Sequence, residues 1–267
     1  MSVLLAAGIA GIGLLGPGLA DWASARALLR DPAFRPTGPS LVPSPALLPA
    51  NERRRAGSLI KASVLVAEQA CTMAGMDPAG LASVFTSSTG DPENCHALCA
   101  ALARPERLVS PTRFTNSVHN AAAGYWHIAV RSLQPSTSLA AFDASFGAGL
   151  LEAMAQCAAT QQPVLLVACD LPYPEPLHTL RPVADLFACA LLLAPPKAPA
   201  RLRLSLAVTG EAPDTPCINP VLERLRLAIP AARALPLLTA LAHASATALV
   251  LEGLPGMALA LQLSPAL

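Results

Sequence analysis

Charge is the scarcest ingredient of this sequence: Asp, Glu, Lys and Arg make up only 13% of the 267 residues and leave a net charge of +1. So thin and balanced a set carries no electrostatic footprint for nucleic acid. Aromatic residues are scarce too, at 4%. No run interleaves them with lysine or arginine, so a stacking platform for bases is also missing. The first twenty residues contain no charged side chain, and a secretory signal needs a basic leading region. Gly8, Gly11, Gly13, Gly16, Pro17 and Gly18 interrupt the same stretch, which breaks a helix before it spans ~30 Å of hydrocarbon. The expectation is therefore a protein without a membrane span or nucleic-acid partner, resident in the cytoplasm. Metal ligands are wanting as well. Cys95-His96-Ala97-Leu98-Cys99 has no second Cys/His pair at suitable spacing, and one such cluster supplies too few ligands for zinc. No metal and no cofactor are expected. There is no strong internal repeat, and neither Ser117 nor Ser145 sits in the Gly-x-Ser-x-Gly setting of a hydrolase nucleophile.

What is abundant is apolar side chain, at 53% of the chain. Seven cysteines, an odd number scattered among Ala, Leu and Val, read as buried free thiols in a reducing compartment. Short apolar runs alternate with longer helical segments, the pattern of an α/β layered domain. Ser2 to Ile12 reads as a buried first strand running into a glycine-rich turn. Asp21 caps a short helix to Arg30, and the proline-rich stretch from Asp31 to Ala50 reads as surface loop. Glu52-Arg53-Arg54-Arg55 opens a helix to about Ala74 whose apolar surface is Leu59, Ile60, Val64, Val66 and Ala67. Those arginines read as a solvated helix end or salt-bridge site, with phosphate binding as the alternative. Strands are expected at Leu81–Thr86, Ser138–Phe142, Pro163–Ala168 (a central parallel strand) and Phe187–Leu193. Helices are expected at Glu93–Leu102, Asn120–Leu133 and Gly147–Thr160. After a proline-rich linker at Lys197–Arg201, a strand to Thr209, a helix within Val221–Ser245 and a strand pair at Ala248–Glu252 and Met257–Leu263 complete the reading. The domain expectation is a main unit over residues 1–196, with residues 197–267 a strand-helix-strand extension packed on it.

Asp143 is singled out by its setting. It stands between the expected strand Ser138–Phe142 and the expected helix Gly147–Thr160, and enzymes often hold a nucleophile at such a sharp strand-to-helix turn, near the positive end of a helix. Upstream runs Phe114-Thr115-Asn116-Ser117-Val118-His119-Asn120-Ala121-Ala122-Ala123-Gly124. Together, the Asn-x-x-Ala-Gly helix start, its distance to the elbow and the Arg181-Pro182 turn resemble the N-terminal half of the thiolase-fold condensing enzymes, the β-ketoacyl synthases. The resemblance covers about Met1 to Pro195 and is most specific at Leu48–Ala62, Ser110–Gly124 and the elbow. It implies a thiolase-like layered α/β fold, N-terminal half only, with a mixed, mostly parallel sheet flanked by helices.

The chemistry implied by that family is incomplete here. The elbow residue of the family is a cysteine that carries the acyl group as a thioester; Asp143 takes its place. A carboxylate at a helix N-terminus is stabilised in its charged form and is a poor nucleophile. Cys157 falls deep inside the helix, and Cys169 has no base among its neighbours. The family's two catalytic histidines come from a second half that this chain is expected to lack. None of His96, His119, His127, His178 and His243 has their context, and His119 reads as structural.

The resemblance is nearest to the short, chain-length-factor-like subunits of aryl polyene and xanthomonadin-type pigment clusters. It implies a catalytically inactive subunit that pairs with a full-length ketosynthase, shapes its acyl tunnel and meets the acyl carrier protein through the complex. The alternatives are a docking scaffold for the acyl carrier protein and a stand-alone acyl-transfer enzyme. The candidate tunnel and interface residues are Arg113, Phe114, His119, Asn120, Tyr125, Trp126, Phe142 and Phe146, each of which also reads as ordinary core or surface.

Overall fold

The computed structural model describes residues 4–200 and 202–265. In chain order, strand β1 (Leu4–Leu15) leads to helices α1 (Trp22–Arg30), α2 (Ala50–Arg55) and α3 (Ser58–Ala74). β2 (Ala82–Thr86) is followed by α4 (Pro92–Leu102), α5 (Pro111–Thr115) and α6 (Ala121–Val130). Next come β3 (Ser136–Leu139), α7 (Ser145–Thr160), β4 (Val164–Asp170), α8 (Leu177–Leu180) and β5 (Phe187–Ala194). The chain then forms β6 (Leu202–Gly210), α9 (Pro220–Ala228), α10 (Leu235–His243) and the hairpin β7 (Thr247–Glu252) and β8 (Met257–Pro265). The expected strand starts at Ser2 and Arg201 lie outside the described residues.

All eight strands form one sheet in the order β3-β2-β4-β5-β1-β6-β8-β7. The architecture is the expected mixed α/β sheet flanked by helices, but it is not mostly parallel. β2 pairs parallel with β3 and with β4, while the other five pairings are antiparallel. The reason lies between β4 and β5. That connection carries only the one-turn α8, with no crossover helix to bring the chain back parallel. The apolar runs of β4 and β5 do not reveal this, because both strands are buried on both faces and read alike in either direction.

Two cores lie on opposite faces of the sheet, and β5 feeds both by period-two alternation. Ala188, Ala190 and Leu192 join α3 and α6 in one core. Phe187, Cys189, Leu191 and Leu193 join α1, α7 and α10 in the other. Asp21 caps α1 as expected, its carboxylate accepting from the Ser24 amide at 2.7 Å. The expected helix from Glu52 to Ala74 is instead two helices, because Ala56 and Gly57 are extended. Gly57 lies where a Cβ would meet Asp91 Oδ2 at 2.8 Å, so α4 presses against the break. The expected helix within Val221–Ser245 is likewise divided by Pro230 and Pro236 into α9, a tight turn at Pro230–Ala234 and α10. β6 pairs with β1, and the hairpin extends the sheet beyond it. Among the described residues, no helix is long and apolar enough to cross a membrane.

Candidate functional site

The three parallel strands β3, β2 and β4 end on one side of the sheet at Leu139, Thr86 and Asp170, where antiparallel β5 begins at Phe187. The loops that follow the three strands meet there, outside the carboxyl ends, the usual place for a site in an open α/β sheet. The expected strand Ser138–Phe142 is shorter and shifted: β3 is the half-buried edge strand Ser136–Leu139.

Asp170 anchors this corner. It ends a fully buried strand, and its Oδ1 accepts from Ser87 Oγ (2.9 Å), Ser88 N (2.7 Å), Thr89 N (2.8 Å) and Thr89 Oγ1 (3.1 Å). Burial pushes its carboxyl up to about 6, against the opposing pull of those donors. The Ser87–Gly90 loop is thereby tied to the end of β4. Arg181 extends the tie to the elbow: its Nη2 donates to Ser88 Oγ at 2.8 Å and to Asp143 Oδ1 at 2.8 Å. Its guanidinium carbon also stands 3.7 Å from the centre of the Phe142 ring, a cation–π distance.

Phe142, one residue before Asp143, makes the sharp turn. Its φ is +51°, a left-handed conformation that non-glycine residues adopt at a cost. Ser145 Oγ braces it, donating to Phe142 O at 2.7 Å and accepting from Ala141 N at 2.9 Å. Helix α7 starts at Ser145, earlier than the expected Gly147. Its N-cap is Ala144, and no side chain caps it. Asp143 does not accept from the helix amides: it lies one residue before the N-cap and pairs sideways with Arg181. Both partners of that ion pair are a quarter to a third exposed, so solvent screens it. Asp143→Ala is therefore expected to cost about 0–1 kcal/mol in urea unfolding, less than the roughly 0.5–2 kcal/mol of a lost cap.

The first turn of α7 is covered by the chain itself, while beside the elbow an open hollow of about 470 Å³ is lined by Phe142, Asp143, Glu211, Asp214, Arg233 and Glu252. Ser145, Phe146 and Gly147 are buried, and a Cβ on Gly147 would come within 2.5 Å of Glu252 O at the end of β7. No thiol stands there. Cys157 is buried far along α7, and burial pushes its thiol up. Cys71 and Cys217 are pushed up to about 12 by the same cause. Cys169 and Cys189 are raised further, with the charge of Asp170 adding to burial. None of these five is poised as a thiolate. Among the described residues no group of three potential ligands gathers for a metal.

The candidate tunnel and interface residues divide cleanly. Trp126, Tyr125 and Phe146 are in the chain's own cores, Trp126 with no exposure at all. Tyr125 and Trp126 are packed in the core that holds α3, and Phe146 in the core on the opposite face of the sheet. Arg113, Phe114, His119, Asn120 and Phe142 are exposed. His119 and Asn120 line an open hollow of about 490 Å³ with His127, Ser136 and Ser138, against the free edge of β3. Asn120 precedes α6 without capping it. Asp170, Ser88 and Arg181 escaped sequence reasoning as a site. The one signal was a carboxylate ending a buried apolar run.

Residues 22–223 match the family described as "Beta-ketoacyl synthase, N-terminal domain". No curated protein matches the chain. Among solved structures, the chain is similar to one in the complex of the ketosynthase ApeO with its chain length factor ApeC from Xenorhabdus doucetiae. The identity is 22% and the TM-score 0.75, over 97% of this chain and 99% of that one. It is similar to a chain of the ishigamide ketosynthase/chain length factor at 14% identity and TM-score 0.69, over 98% and 99% of the two chains. Ketosynthase twelve of the bacillaene polyketide synthase in Bacillus amyloliquefaciens matches at 14% identity and TM-score 0.55, over 79% of this chain but 46% of its own. At identities this low the likeness shows the fold alone, and the family match over most of the chain shows the family: this chain belongs to the β-ketoacyl synthase N-terminal-domain family.

Proposed function

We propose that the chain is a non-catalytic, chain-length-factor-like subunit that pairs with a full-length ketosynthase and shapes the end of its acyl tunnel. The carrying observation is the elbow. Where a condensing enzyme needs a thiolate, Phe142 and Asp143 are pinned by Arg181, and the buried thiols are pushed away from ionisation. Two features favour a partner. Edge strand β3 offers unpaired backbone groups, and of the exposed large apolar residues Phe114 and Val118 lie in the segment before α6 and Phe142 in the turn after β3. Two of the similar structures are themselves complexes of a ketosynthase with a chain length factor. An obligate interface of this kind buries about 2,000 Å² or more. The biosynthetic setting we assign is that of aryl polyenes and related pigments, in the cytoplasm, with the acyl carrier protein engaged through the complex.

A scaffold that docks the carrier protein is the second reading. It is favoured by one feature: Arg54, Arg55 and Arg113 line a common hollow of about 410 Å³ with Ser110 and Thr112, where they outnumber the carboxyl groups of Asp91 and Glu93, a setting for anionic groups.

Co-expression with a ketosynthase from the same gene neighbourhood tests both. The expected result is a stable heterodimer in which Phe142→Ala or Phe114→Ala lengthens the product. Intact-protein mass spectrometry is expected to find acyl groups on the ketosynthase and none on this chain. A chain that purifies as a stable monomer with no affinity for ketosynthases counts against pairing. Unchanged product length in both variants defeats the tunnel reading and leaves the scaffold ahead.

A further inference from the structure

The ten aromatic residues of the chain are treated unequally by the fold. Only Phe114 and Phe142 stand among its exposed large hydrophobics, at 68% and 67% exposure. Phe142 is unusual twice over, since an exposed apolar ring sits on a residue whose backbone is left-handed. A left-handed backbone at a bulky residue is costly and is lost where its surroundings do not hold it. Three contacts oppose this. Ser145 Oγ holds the Phe142 carbonyl at 2.7 Å, Arg181 covers one ring face at 3.7 Å, and Arg181 grips the next residue through Asp143 at 2.8 Å.

Arg181 is itself aimed. Its Nη2 spends one hydrogen on Asp143 and has Ser88 Oγ as its second acceptor at 2.8 Å. Ser88 is held by its amide to the buried Asp170 at 2.7 Å. A continuous chain of contacts thus runs from the rigid end of β4, through Ser88 and Arg181, to an exposed ring just beyond the free edge strand. Backbone strain and an ordering network converging on one exposed side chain point to a side chain whose position is its purpose.

We propose that Arg181 is a specificity-determining positioning residue: it presents the Phe142 ring in one fixed pose as the stop against which the acyl chain in the partner's tunnel ends. This rests on the tunnel reading above and adds to it the residue that gives the stop a single position. A fixed stop gives one product length. A ring free to swing gives several, because each pose leaves a tunnel of different depth.

The test uses the reconstituted complex and the distribution of product lengths. Phe142→Ala is expected to move the main product to longer chains. Arg181→Ala is expected to spread the distribution over several lengths while the complex still forms. Arg181→Lys is expected to spread it as well, since an ammonium lacks the planar face that covers the ring. Adding Arg181→Ala to Phe142→Ala is expected to change nothing further. A merely structural arginine lowers the yield of complex without altering the distribution. If Phe142→Ala lengthens the product while Arg181→Ala keeps the parental distribution, the positioning role is overturned and the tunnel reading stands. If Phe142→Ala changes nothing while Phe114→Ala lengthens the product, the stop lies elsewhere and this role is overturned; if neither variant changes it, the tunnel reading fails as well.

A second measurement reads the ring directly, in the complex assembled with a ketosynthase whose own tryptophans are replaced by phenylalanine. In Phe142→Trp the new indole joins Trp22 and Trp126, both buried, so it alone answers to acrylamide quenching and to fast anisotropy decay. Adding Arg181→Ala is expected to raise both. Equal quenching and anisotropy with and without the arginine overturns the proposal whatever the product lengths.

Discussion

Gly13→Ala is expected to yield no folded protein. A Cβ on Gly13 would lie 1.9 Å from the Val66 carbonyl oxygen and 2.7 Å from its carbon. Those are backbone atoms of α3, so no rotamer change relieves the clash; the whole helix has to retreat from the sheet. Gly11 faces the same helix one turn on, where a Cβ would lie 2.0 Å from Ala70 O. The two glycines let β1 and α3 touch backbone to backbone, and α3 in turn packs on β4 and β5. Overpacking by a methyl group ordinarily costs about 1–3 kcal/mol. Displacing a 17-residue central helix exceeds that range and approaches the ~5–15 kcal/mol by which a domain is stable at all. Gly38→Ala is the control: nothing lies within 4 Å of its added methyl. Soluble yield and thermal melting by circular dichroism decide the matter. A Gly13→Ala protein that melts within a few degrees of the parent shows that the contact yields more easily than its geometry allows.

Asp170→Ala is expected to be the most damaging change at the candidate site. The side chain is 1% exposed, and its removal leaves two hydroxyls and two amides facing a void. Each buried donor left unsatisfied costs about 1–3 kcal/mol, so the four together are expected to cost at least ~3 kcal/mol, a fall in Tm of roughly 10 °C for a chain of this size. The same residue gives stability a pH dependence of definite sign. Its folded carboxyl is raised to about 6, above the ~3.9 of an unfolded aspartate. The folded state therefore holds the proton more tightly. The stability this residue contributes is fully present below about pH 4 and is lost as pH rises through 6, by roughly 3 kcal/mol in all. Asp170→Asn cannot titrate and is expected to remove that slope. Urea unfolding of parent and Asn variant between pH 4 and 7.5 measures it. Parallel curves for the two proteins show that the four donors keep the carboxylate charged throughout.

Asp21 announces its helix because a cap acts on amides three residues away, and local spacing is visible in any sequence. The apolar runs of β4 and β5 likewise announce buried strands. The elbow region was found from its motif and from its place between a strand and a helix. The sequence alone therefore determined the α/β class, the family, the approximate element list and the absence of a thiol at the turn. Strand direction was decided by tertiary structure, because strands buried on both faces carry no mark of their orientation. So was the fate of the aromatics: Tyr125 and Trp126 are neighbours of the motif in sequence yet packed inward, while Phe142 is turned out. Ser88, Phe142 and the Asp170–Arg181 segment follow or end three different strands and meet only because those parallel strands end together. Hydrogen bonds and ring contacts reach only about 3–4 Å, so their partners are chosen by the fold and leave no periodic trace in the sequence.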